Sequence, residues 1–327
     1  MPRPSAVAPI LVPFDGSAVA EAALPFAATL AGNDGAIVLL QAVPQPQPIR
    51  DVLGDVVLTA DRLLRLTREA AQTDLDRAMD LLRRLDPSLA IDRRVSVGDP
   101  ATVIIGEASE RQAGFVVITG RGLSGTPVGH LGSVAHRLTG AVPIPLLLVP
   151  SAAGAGSESE FRRLVVGHDG SDHALAALDV AAETARRQAV PVHLVGVVEA
   201  GRPEVPPLDR REMLDDRVAD GVLADARRDA QRAVEGAGAL LLRQGVHASW
   251  ETLAGDPATE LLTVCRPGDV LVIASHGQNG ATRWGLGSVA RRLLQASPRP
   301  TLLVRTAPAE SPSPPRSAPE IERETVA

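Results

Sequence analysis

Short apolar runs alternate with longer amphipathic stretches along most of the chain. Runs such as Ile37–Val43 and Phe115–Thr119 are almost continuously apolar, which is typical of strands buried on both faces of a parallel sheet. The stretch Leu58–Leu85 instead spaces apolar residues such as Leu63 and Leu66 among charged ones, the pattern of an amphipathic helix. Short strands separated by helices predict an α/β fold.

The same order of elements is predicted in each half of the chain. In the first half, the strands are Pro9–Phe14, Ile37–Val43, Ile91–Val97, Phe115–Thr119 and Ile144–Val149, and the helices are Ser17–Ala31, Leu58–Leu85, Ala101–Ala108 and Ser133–Leu138. In the second half, the strands are Leu164–Gly167, Val192–Val198, Ala248–Leu253, Val270–Ala274 and Thr301–Val304, and the helices are Leu175–Gln188, Arg211–Arg243, Thr259–Val264 and Val289–Leu294. Each half is therefore predicted to form a five-stranded parallel sheet with helices on both faces.

Several motifs occur twice at a nearly constant spacing, which indicates a tandem duplication. The pairs are ILVPFDGS at 10–17 with LVVGHDGS at 164–171, GDPAT at 98–102 with GDPAT at 255–259, and GSVA at 132–135 with GSVA at 287–290. We predict a first domain at residues 1–150, a small polar linker at 151–160 and a second domain at 161–306. Residues 307–327 are rich in Pro, Ser and Glu, so we expect a disordered tail.

The composition excludes several classes of protein. All 33 basic residues are arginine, so no lysine is available for a Schiff base or for a Walker P-loop. The net charge of −6 argues against broad nucleic-acid binding. One cysteine, Cys265, excludes an internal disulfide and fits a reducing cytoplasm. No window approaches the ~20 apolar residues of a membrane span, so we expect a soluble protein with no membrane partner.

Asp-Gly-Ser follows the first predicted strand of each half. Asp15 and Asp169 leave the sheet at its carboxyl edge, where ligands bind in open α/β sheets, and the following Gly and Ser suit a tight turn and a helix cap. A simple strand-to-helix turn accounts for the Gly and the Ser, but it does not explain an Asp in both copies. We therefore predict a ligand contact for Asp15 and Asp169.

A glycine-rich loop follows the fourth strand of each half and ends where Gly-Ser opens a helix. Glycines allow close approach of the backbone, and N–H groups at a helix start attract anions, so the loop is a candidate phosphate cradle. A glycine-rich loop that is merely closed by a helix cap is the alternative, and two matched copies favour the cradle. Arg121 in the first loop and His276 in the second are candidate phosphate donors; exposed loop side chains are the alternative.

Other chemical readings of these motifs find less support. The first loop fits GxGxxG, but it follows the fourth strand and lacks a following acidic residue, which argues against a dinucleotide fingerprint. His168 and His173 flank an acidic turn, yet the first half has Phe14 and Val19 there, so we predict no metal site. Cys265 has no neighbouring base and is predicted to be a packing residue. No motif of a hydrolase or a metalloprotease is present, so we predict no catalytic residue.

With these motifs, the chain resembles a tandem universal stress protein over about Pro9–Val149 and Phe161–Arg305. The resemblance rests on the early DGS, the GDP after the third strand, and the G-x2-G-x9-G-S/T loop. It implies a five-stranded Rossmann-like (adenine nucleotide alpha-hydrolase-like) fold that binds ATP, with Mg2+ expected on the triphosphate. It also implies that Pro145–Val149 pairs with Pro300–Val304 inside one molecule, and that the protein further self-associates, as a dimer.

The resemblance also implies a set of nucleotide-binding residues. Those near adenosine are Pro13, Asp15 and Ala42 in the first half, and Gly167, Asp169 and Val197 in the second. Those near the phosphates are Thr119, Arg121, Gly122, Gly132 and Ser133, and Ala274, His276, Gly277, Gly287 and Ser288.

The chain departs from the family pattern at three of these positions. The first loop glycine is Thr119 in one half and Ala274 in the other, and a Cβ there narrows the approach of the backbone. Pro13 lacks the backbone N–H that Gly167 offers. We therefore predict that the second half binds nucleotide at least as well as the first.

Three functions follow from this interpretation. The first is a cytoplasmic ATP-binding protein with a regulatory or stress-response role and little or no turnover. The second is a nucleotide-free scaffold that dimerises and acts through protein partners, which Thr119 and Ala274 favour. A nucleotide hydrolase or transferase is the third, and the absence of a lysine and of a general base counts against it.

Overall fold

The structure is a computed structural model that describes residues 8–120, 131–151, 160–199, 216–277 and 286–305. The predicted linker falls almost wholly outside this part of the chain, as do the predicted tail and the central residues of both glycine-rich loops. The predicted domain boundaries therefore remain predictions.

The elements of the first half follow the predicted order, with one addition. The strands are β1 (Ile10–Pro13), β2 (Ala36–Val43), β3 (Ile49–Arg50), β4 (Val56–Leu58), β5 (Ala90–Val97), β6 (Phe115–Thr119) and β7 (Leu146–Val149). A 3-10 turn at Ala20–Ala22 precedes α1 (Ala23–Ala31), and the other helices are α2 (Ala60–Leu85), α3 (Pro100–Glu110) and α4 (Ser133–Ala141).

The second half repeats this order without the addition in its described residues. The strands are β8 (Arg163–Gly167), β9 (Val192–Val198), β10 (Ala248–Ala254), β11 (Asp269–Ala274) and β12 (Thr301–Val304). The helices are α5 (Asp172–Gln188), α6 (Asp216–Arg243), α7 (Pro257–Val264) and α8 (Ser288–Ala296).

The two halves share one ten-stranded sheet, in the order β10-β9-β8-β11-β12-β7-β6-β1-β2-β5. All neighbours within a half are parallel, which confirms the predicted α/β fold with five parallel strands in each half. At the centre, β7 and β12 pair antiparallel, with Leu147 opposite Leu302. The last strands of the halves therefore meet inside one molecule, as predicted from the family resemblance.

Side chains alternate between the two faces of this sheet and build two separate cores. Leu11 belongs to the core under α3, α4, α7 and α8, whereas its neighbours Ile10 and Val12 belong to the core under α1, α2, α5 and α6. The second of these cores crosses between the halves, where the rings of Phe26 and Phe161 stack with centroids 6.3 Å apart. Burial on both faces explains why the strands are almost continuously apolar.

The predicted second helix began at Leu58, two residues before the observed start of α2 at Ala60, whose cap is Thr59. The hairpin in front of it, in which Val56–Leu58 pairs with Ile49–Arg50 antiparallel, was not predicted. Val56 and Val57 are exposed, and Val52 has no contact that shields it from solvent (101% exposed). A hairpin with no buried face has no apolar periodicity by which a sequence could reveal it.

Candidate functional site

Two pockets open at the carboxyl edge of the sheet, one in each half. The first has a volume of about 250 Å3 and the second about 490 Å3. Each lies where the chain leaves the first, second and fourth strands of its half and where a late helix begins. Ligands of open parallel sheets bind at this edge.

The Asp-Gly-Ser turns have the same geometry in both halves. The Oδ1 of Asp15 accepts hydrogen bonds from the backbone N–H of Ser17 at 3.0 Å and from its hydroxyl at 2.6 Å. Asp169 accepts the equivalent bonds from Ser171 at 3.0 and 2.6 Å. The turn thus fixes the orientation of each carboxylate beside its pocket, which it lines.

The glycine of the first turn is required by its conformation and by its surroundings. Gly16 has a φ of +80°, a region that side chains with a Cβ rarely adopt, and a Cβ there would collide with the carboxylate of Asp74 on α2. Arg77, one turn further on, donates a hydrogen bond to the carbonyl of Gly16 at 2.7 Å. Helix α2 therefore holds the turn that carries Asp15 in place.

The helices that open into the pockets begin without a side-chain cap. Gly132 and Gly287 occupy the cap positions of α4 and α8, and neither helix start receives a side-chain hydrogen bond. In contrast, α2, α3, α5 and α7 are capped by the side chains of Thr59, Asp99, Ser171 and Asp256. The first backbone N–H groups of α4 and α8 have no acceptor within the helix, and such N–H groups attract anions.

Backbone hydrogen bonds close both glycine-rich loops at the pocket. The N–H of Gly132 donates to the carbonyl of Gly120 at 2.8 Å, and the N–H of Gly287 donates to the carbonyl of Ser275 at 2.9 Å. Each loop is therefore pinned where it leaves its strand and where it enters its helix. This closure brings the strand end and the helix start to one side of the pocket.

The GDP motif ties the pocket helices to each other. Asp99 accepts a hydrogen bond from the N–H of Thr102 at 3.0 Å and caps α3, while Arg137 on α4 forms an ion pair with the same carboxylate at 2.6 Å. Asp256 and Arg292 repeat this arrangement between α7 and α8. These hydrogen bonds hold the pKa of both carboxyls well below the usual range.

Every predicted site residue in the described part of the chain lines one of the two pockets. In the first pocket these are Pro13, Asp15, Ala42, Thr119, Gly132 and Ser133, and in the second they are Gly167, Asp169, Val197, Ala274, His276, Gly277, Gly287 and Ser288. Arg121 and Gly122 lie outside the described residues. A shared pocket is what the predicted ligand roles require, but it does not test them.

Sequence reasoning missed several residues that line the pockets. The apolar ones, such as Ile104 and Leu261, lie on the helices after the third strands, whose contribution no motif signalled. The polar ones belong to the second pocket: His168, Glu199 and Ser275. A comparison of the two halves could have found them. Each has a polar side chain, whereas the corresponding residues of the first half, Phe14, Pro44 and Gly120, have none.

His168 is buried beneath the second pocket, with 4% of its surface exposed. Burial lowers its pKa, while the neighbouring Asp169 acts in the opposite direction. Its ring is therefore neutral near pH 7. No group of three or more potential metal ligands is present among the residues that the structure describes.

Cys265 caps the end of α7 and is partly buried. Burial raises the pKa of its thiol to about 12, and the carboxylate of Asp269 acts in the same direction. A thiol that holds its proton at neutral pH is a poor nucleophile, in agreement with the predicted packing role.

None of the described helices is long and apolar enough to cross a membrane.

Comparisons with known proteins point to one family. A family model described as the universal stress protein family matches residues 7–150 and again residues 160–305. A universal stress protein of Mycolicibacterium smegmatis is 25% identical over 300 residues, which cover 90% of this chain and 96% of that protein. The Bacillus subtilis universal stress protein YxiE is 27% identical over 147 residues, which are 44% of this chain and 99% of that protein.

The fold has the same likeness to a solved structure. The crystal structure of a universal stress protein from Archaeoglobus fulgidus superimposes with a TM-score of 0.63 and covers 90% of this chain and 97% of that chain. The sequence identity is 18%, so this match supports the fold alone.

Proposed function

The chain belongs to the universal stress protein family, and we propose that it binds ATP in both of its pockets. Membership of this family supports a role in the stress response. In more detail, we propose a cytoplasmic regulator that binds ATP with little or no turnover and that self-associates. The geometry of the pockets supports the binding of ATP.

The observation that carries the proposal is the pair of uncapped helix starts. Ser133 and Ser288 are the first residues of α4 and α8, and both line the pockets. The positive end of each helix dipole and the N–H groups of its first turn face a site where a phosphate chain fits. Asp15 and Asp169 line the same pockets, and we expect them to contact adenosine, because a carboxylate suits the hydrogen-bond donors of a nucleoside.

Mg2+ enters this proposal through the phosphates. Among the described residues no cluster of carboxylates could hold the ion alone, whereas Mg2+ in nucleotide sites is held largely by phosphate oxygens and water. In the proposed complex, the ion offsets the charge of the triphosphate, and the helix starts hold the phosphates in place. The protein supplies no lysine for this purpose.

The proposal predicts that a carboxylate at either helix start abolishes ATP binding to that pocket without loss of stability. An Asp in the first turn is favourable for the helix, so Ser133→Asp and Ser288→Asp should fold normally. The same charge repels phosphate at close range by about 4 kcal/mol, and we expect an affinity weaker by about a thousandfold. Isothermal titration with Mg-ATP should give two sites in the wild type, one in each single variant and none in the double variant.

Alanine at the same positions separates the effect of the added charge on ATP affinity from the effect of losing the serine hydroxyl. Ser133→Ala and Ser288→Ala should weaken binding much less, because the backbone N–H groups remain. Two unchanged ATP sites in the Ser133→Asp/Ser288→Asp protein would contradict the proposal. Analysis of the supernatant after denaturation of the purified protein gives an independent check for co-purified ATP.

A scaffold without nucleotide is the second candidate function, and the β3–β4 hairpin favours it. Val52 and Leu53 are 101% and 85% exposed there, which suits contact with a protein partner. Thr119 and Ala274 also place a Cβ where the family loop has a glycine. A protein that neither co-purifies with ATP nor binds it on titration would favour this function.

A further inference from the structure

The second pocket has ionisable groups that the first pocket lacks. His276 lines the second pocket, whereas the described residues that line the first include no histidine, and His130 of the first loop lies outside the described residues. At the sequence position that corresponds to His276 the first half has Arg121, which is charged at every physiological pH but lies outside the described residues. The position that corresponds to His173 is Val19. At the position of His276 the halves therefore differ, because the side chain can change its charge near neutral pH in the second half and is permanently charged in the first.

His276 is held next to the glycine-rich loop by contacts on two sides. Its Nδ1 lies 3.1 Å from the hydroxyl of Ser275, which is itself buried. Its ring is 5.9 Å from the ring of His173, in the first turn of α5. A serine hydroxyl can donate to a neutral imidazole and accept from a protonated one, so this contact allows both charge states.

The charged groups around this pair come from four elements. Asp169 lies in the turn after β8, against Gly277; Asp172 begins α5; and Glu199 follows β9 and lines the same pocket. His168 is neutral at the end of β8, as described above. The uncapped start of α8 contributes the positive end of a helix dipole. A bound triphosphate adds several negative charges on the same side.

We propose that His276, with His173 beside it, makes the affinity of the second pocket for ATP increase as the pH falls from 8 to 6, while the first pocket shows no such change. This inference rests on the proposed function. Bound phosphate stabilises the charged imidazole, so the bound state takes up a proton that the free state lacks. Linkage then requires tighter binding at lower pH, by up to about tenfold for each pH unit at which one proton is taken up.

The experiment measures the Kd of ATP at pH 6, 7 and 8 in two single-pocket proteins. Ser133→Asp leaves the second pocket, and Ser288→Asp leaves the first. We expect affinity to rise about tenfold from pH 8 to pH 6 in the Ser133→Asp protein, and to change clearly less in the Ser288→Asp protein. The terminal phosphate of ATP also titrates near pH 6, and the comparison of the two proteins removes this contribution.

Two substitutions at His276 identify the titrating group. His276→Gln in the Ser133→Asp background should bind more weakly at pH 6 and lose the excess pH dependence. His276→Arg places a permanent charge there, as in the first half, and should bind tightly at all three values. Thermal unfolding of each variant checks that the fold is intact.

Each outcome decides the inference. An equal pH dependence in the two single-pocket proteins, or an unchanged one in His276→Gln, overturns it and leaves ATP binding intact. Absence of ATP binding at every pH in both single-pocket proteins and in the wild type overturns the proposed function, and this inference with it.

Discussion

Asp15 and Asp169 each use one carboxylate oxygen to hold a turn and so present the carboxyl group to a pocket in a fixed orientation. The pockets around them are unequal. The first is smaller, and its backbone lacks an N–H at Pro13, whereas Gly167 keeps one in the second. A ligand that needs both a backbone donor and space is better served by the second pocket.

This inequality predicts that Asp169→Ala weakens the tightest phase of ATP binding more than Asp15→Ala does. A hydrogen bond to a charged group contributes ~1.5–3 kcal/mol, so we expect a loss of about tenfold or more at the affected site. Calorimetric titration of each variant with Mg-ATP measures it, with Asp→Asn at the same positions as controls that keep an acceptor for the serine. A larger loss of tight binding from the Asp15 change would contradict the prediction.

The position of the ligand edge could be read from the sequence, because motifs marked both the turn and the loop. Asp15 and Gly132 are far apart in the sequence of the first half. Asp15 follows β1 and Gly132 precedes α4, and both lie at the same edge of the sheet. The polar lining of the second pocket could not be read in the same way. His168 and Ser275 differ from their first-half counterparts Phe14 and Gly120, so the repeat assigns them no role, and only the fold shows that they line the same pocket.

At the scale of elements, the ion pairs between neighbouring helices explain the GDP motif. Asp99 and Asp256 cap α3 and α7 and also bind an arginine of the helix that starts at the pocket. The sequence marked these residues through the repeat and through family resemblance alone. Their physical role was not predictable, because Arg137 and Arg292 follow the capping residues by more than 30 positions and no local pattern joins them.

These pairs predict a specific loss of stability in acid. The folded pKa of Asp99 and Asp256 is lowered, first by the hydrogen bond from Arg137 or Arg292 and then by those from Thr102 or Thr259. Their contribution is therefore fully present above the ordinary carboxyl pKa of 3.8 and is lost as the pH falls toward the lowered folded value. Asp99→Asn/Asp256→Asn keeps the caps, since Asn caps as well as Asp, but removes the charge.

We expect this double variant to have a lower Tm than the wild type at pH 7 and a clearly smaller difference at pH 2, where part of the contribution remains because the folded pKa is lower still. The control Asp80→Asn/Asp179→Asn removes two carboxylates from exposed positions on α2 and α5. Its Tm should equal that of the wild type at both pH 7 and pH 2. Differential scanning calorimetry across this range makes the comparison. A Tm gap that stays constant with pH would show that the ion pairs do not supply this stability.

The β3–β4 hairpin is an element that the sequence alone did not predict. Its residues Ile49–Arg50 and Val56–Leu58 have the composition of strands, but the pair is short and the side chains are exposed rather than buried. Apolar spacing is informative when one face is buried, and here no face is. The long helix after it was predicted from residues such as Leu63 and Leu66, but Leu66 is 50% exposed, and the buried stripe is formed by Ala71, Leu75, Ala78 and Leu82.

At the scale of the whole molecule, the central pair of strands makes one body of the two halves. Leu147 and Leu302 face each other across β7 and β12, with 1% and 2% of their surfaces exposed. The stacked rings of Phe26 and Phe161 extend this contact beyond the sheet, and the side chain of Arg305 donates to the carbonyl of Thr139 at 3.2 Å. The duplication predicted two domains, and in the structure the two halves share one sheet and a common core.

Cooperative unfolding of both halves is therefore expected, even when the damage lies in one. Leu147→Ala should cost about 2–5 kcal/mol in the free energy of unfolding, the usual effect of a large cavity in a packed core. Both tryptophans belong to the second half, so their fluorescence reports on that half, whereas far-UV circular dichroism reports on the whole chain. The two signals should give one coincident urea transition at a lower midpoint.

The exposed Leu85→Ala serves as the control and should leave the midpoint nearly unchanged. A dichroism transition that precedes the fluorescence transition in Leu147→Ala would mean that the first half unfolds alone, against the expectation of one cooperative body.

The covalent join between the halves also changes what evolution can do with the two pockets. In a dimer of identical chains every substitution occurs at both sites, so the sites must remain copies of each other. Here β7 and β12 come from one chain, and each substitution alters one site only. Phe14 opposite His168, Pro13 opposite Gly167 and Gly120 opposite Ser275 record such independent changes. A single polypeptide can thereby carry two related sensors with different set points, always in a ratio of one to one.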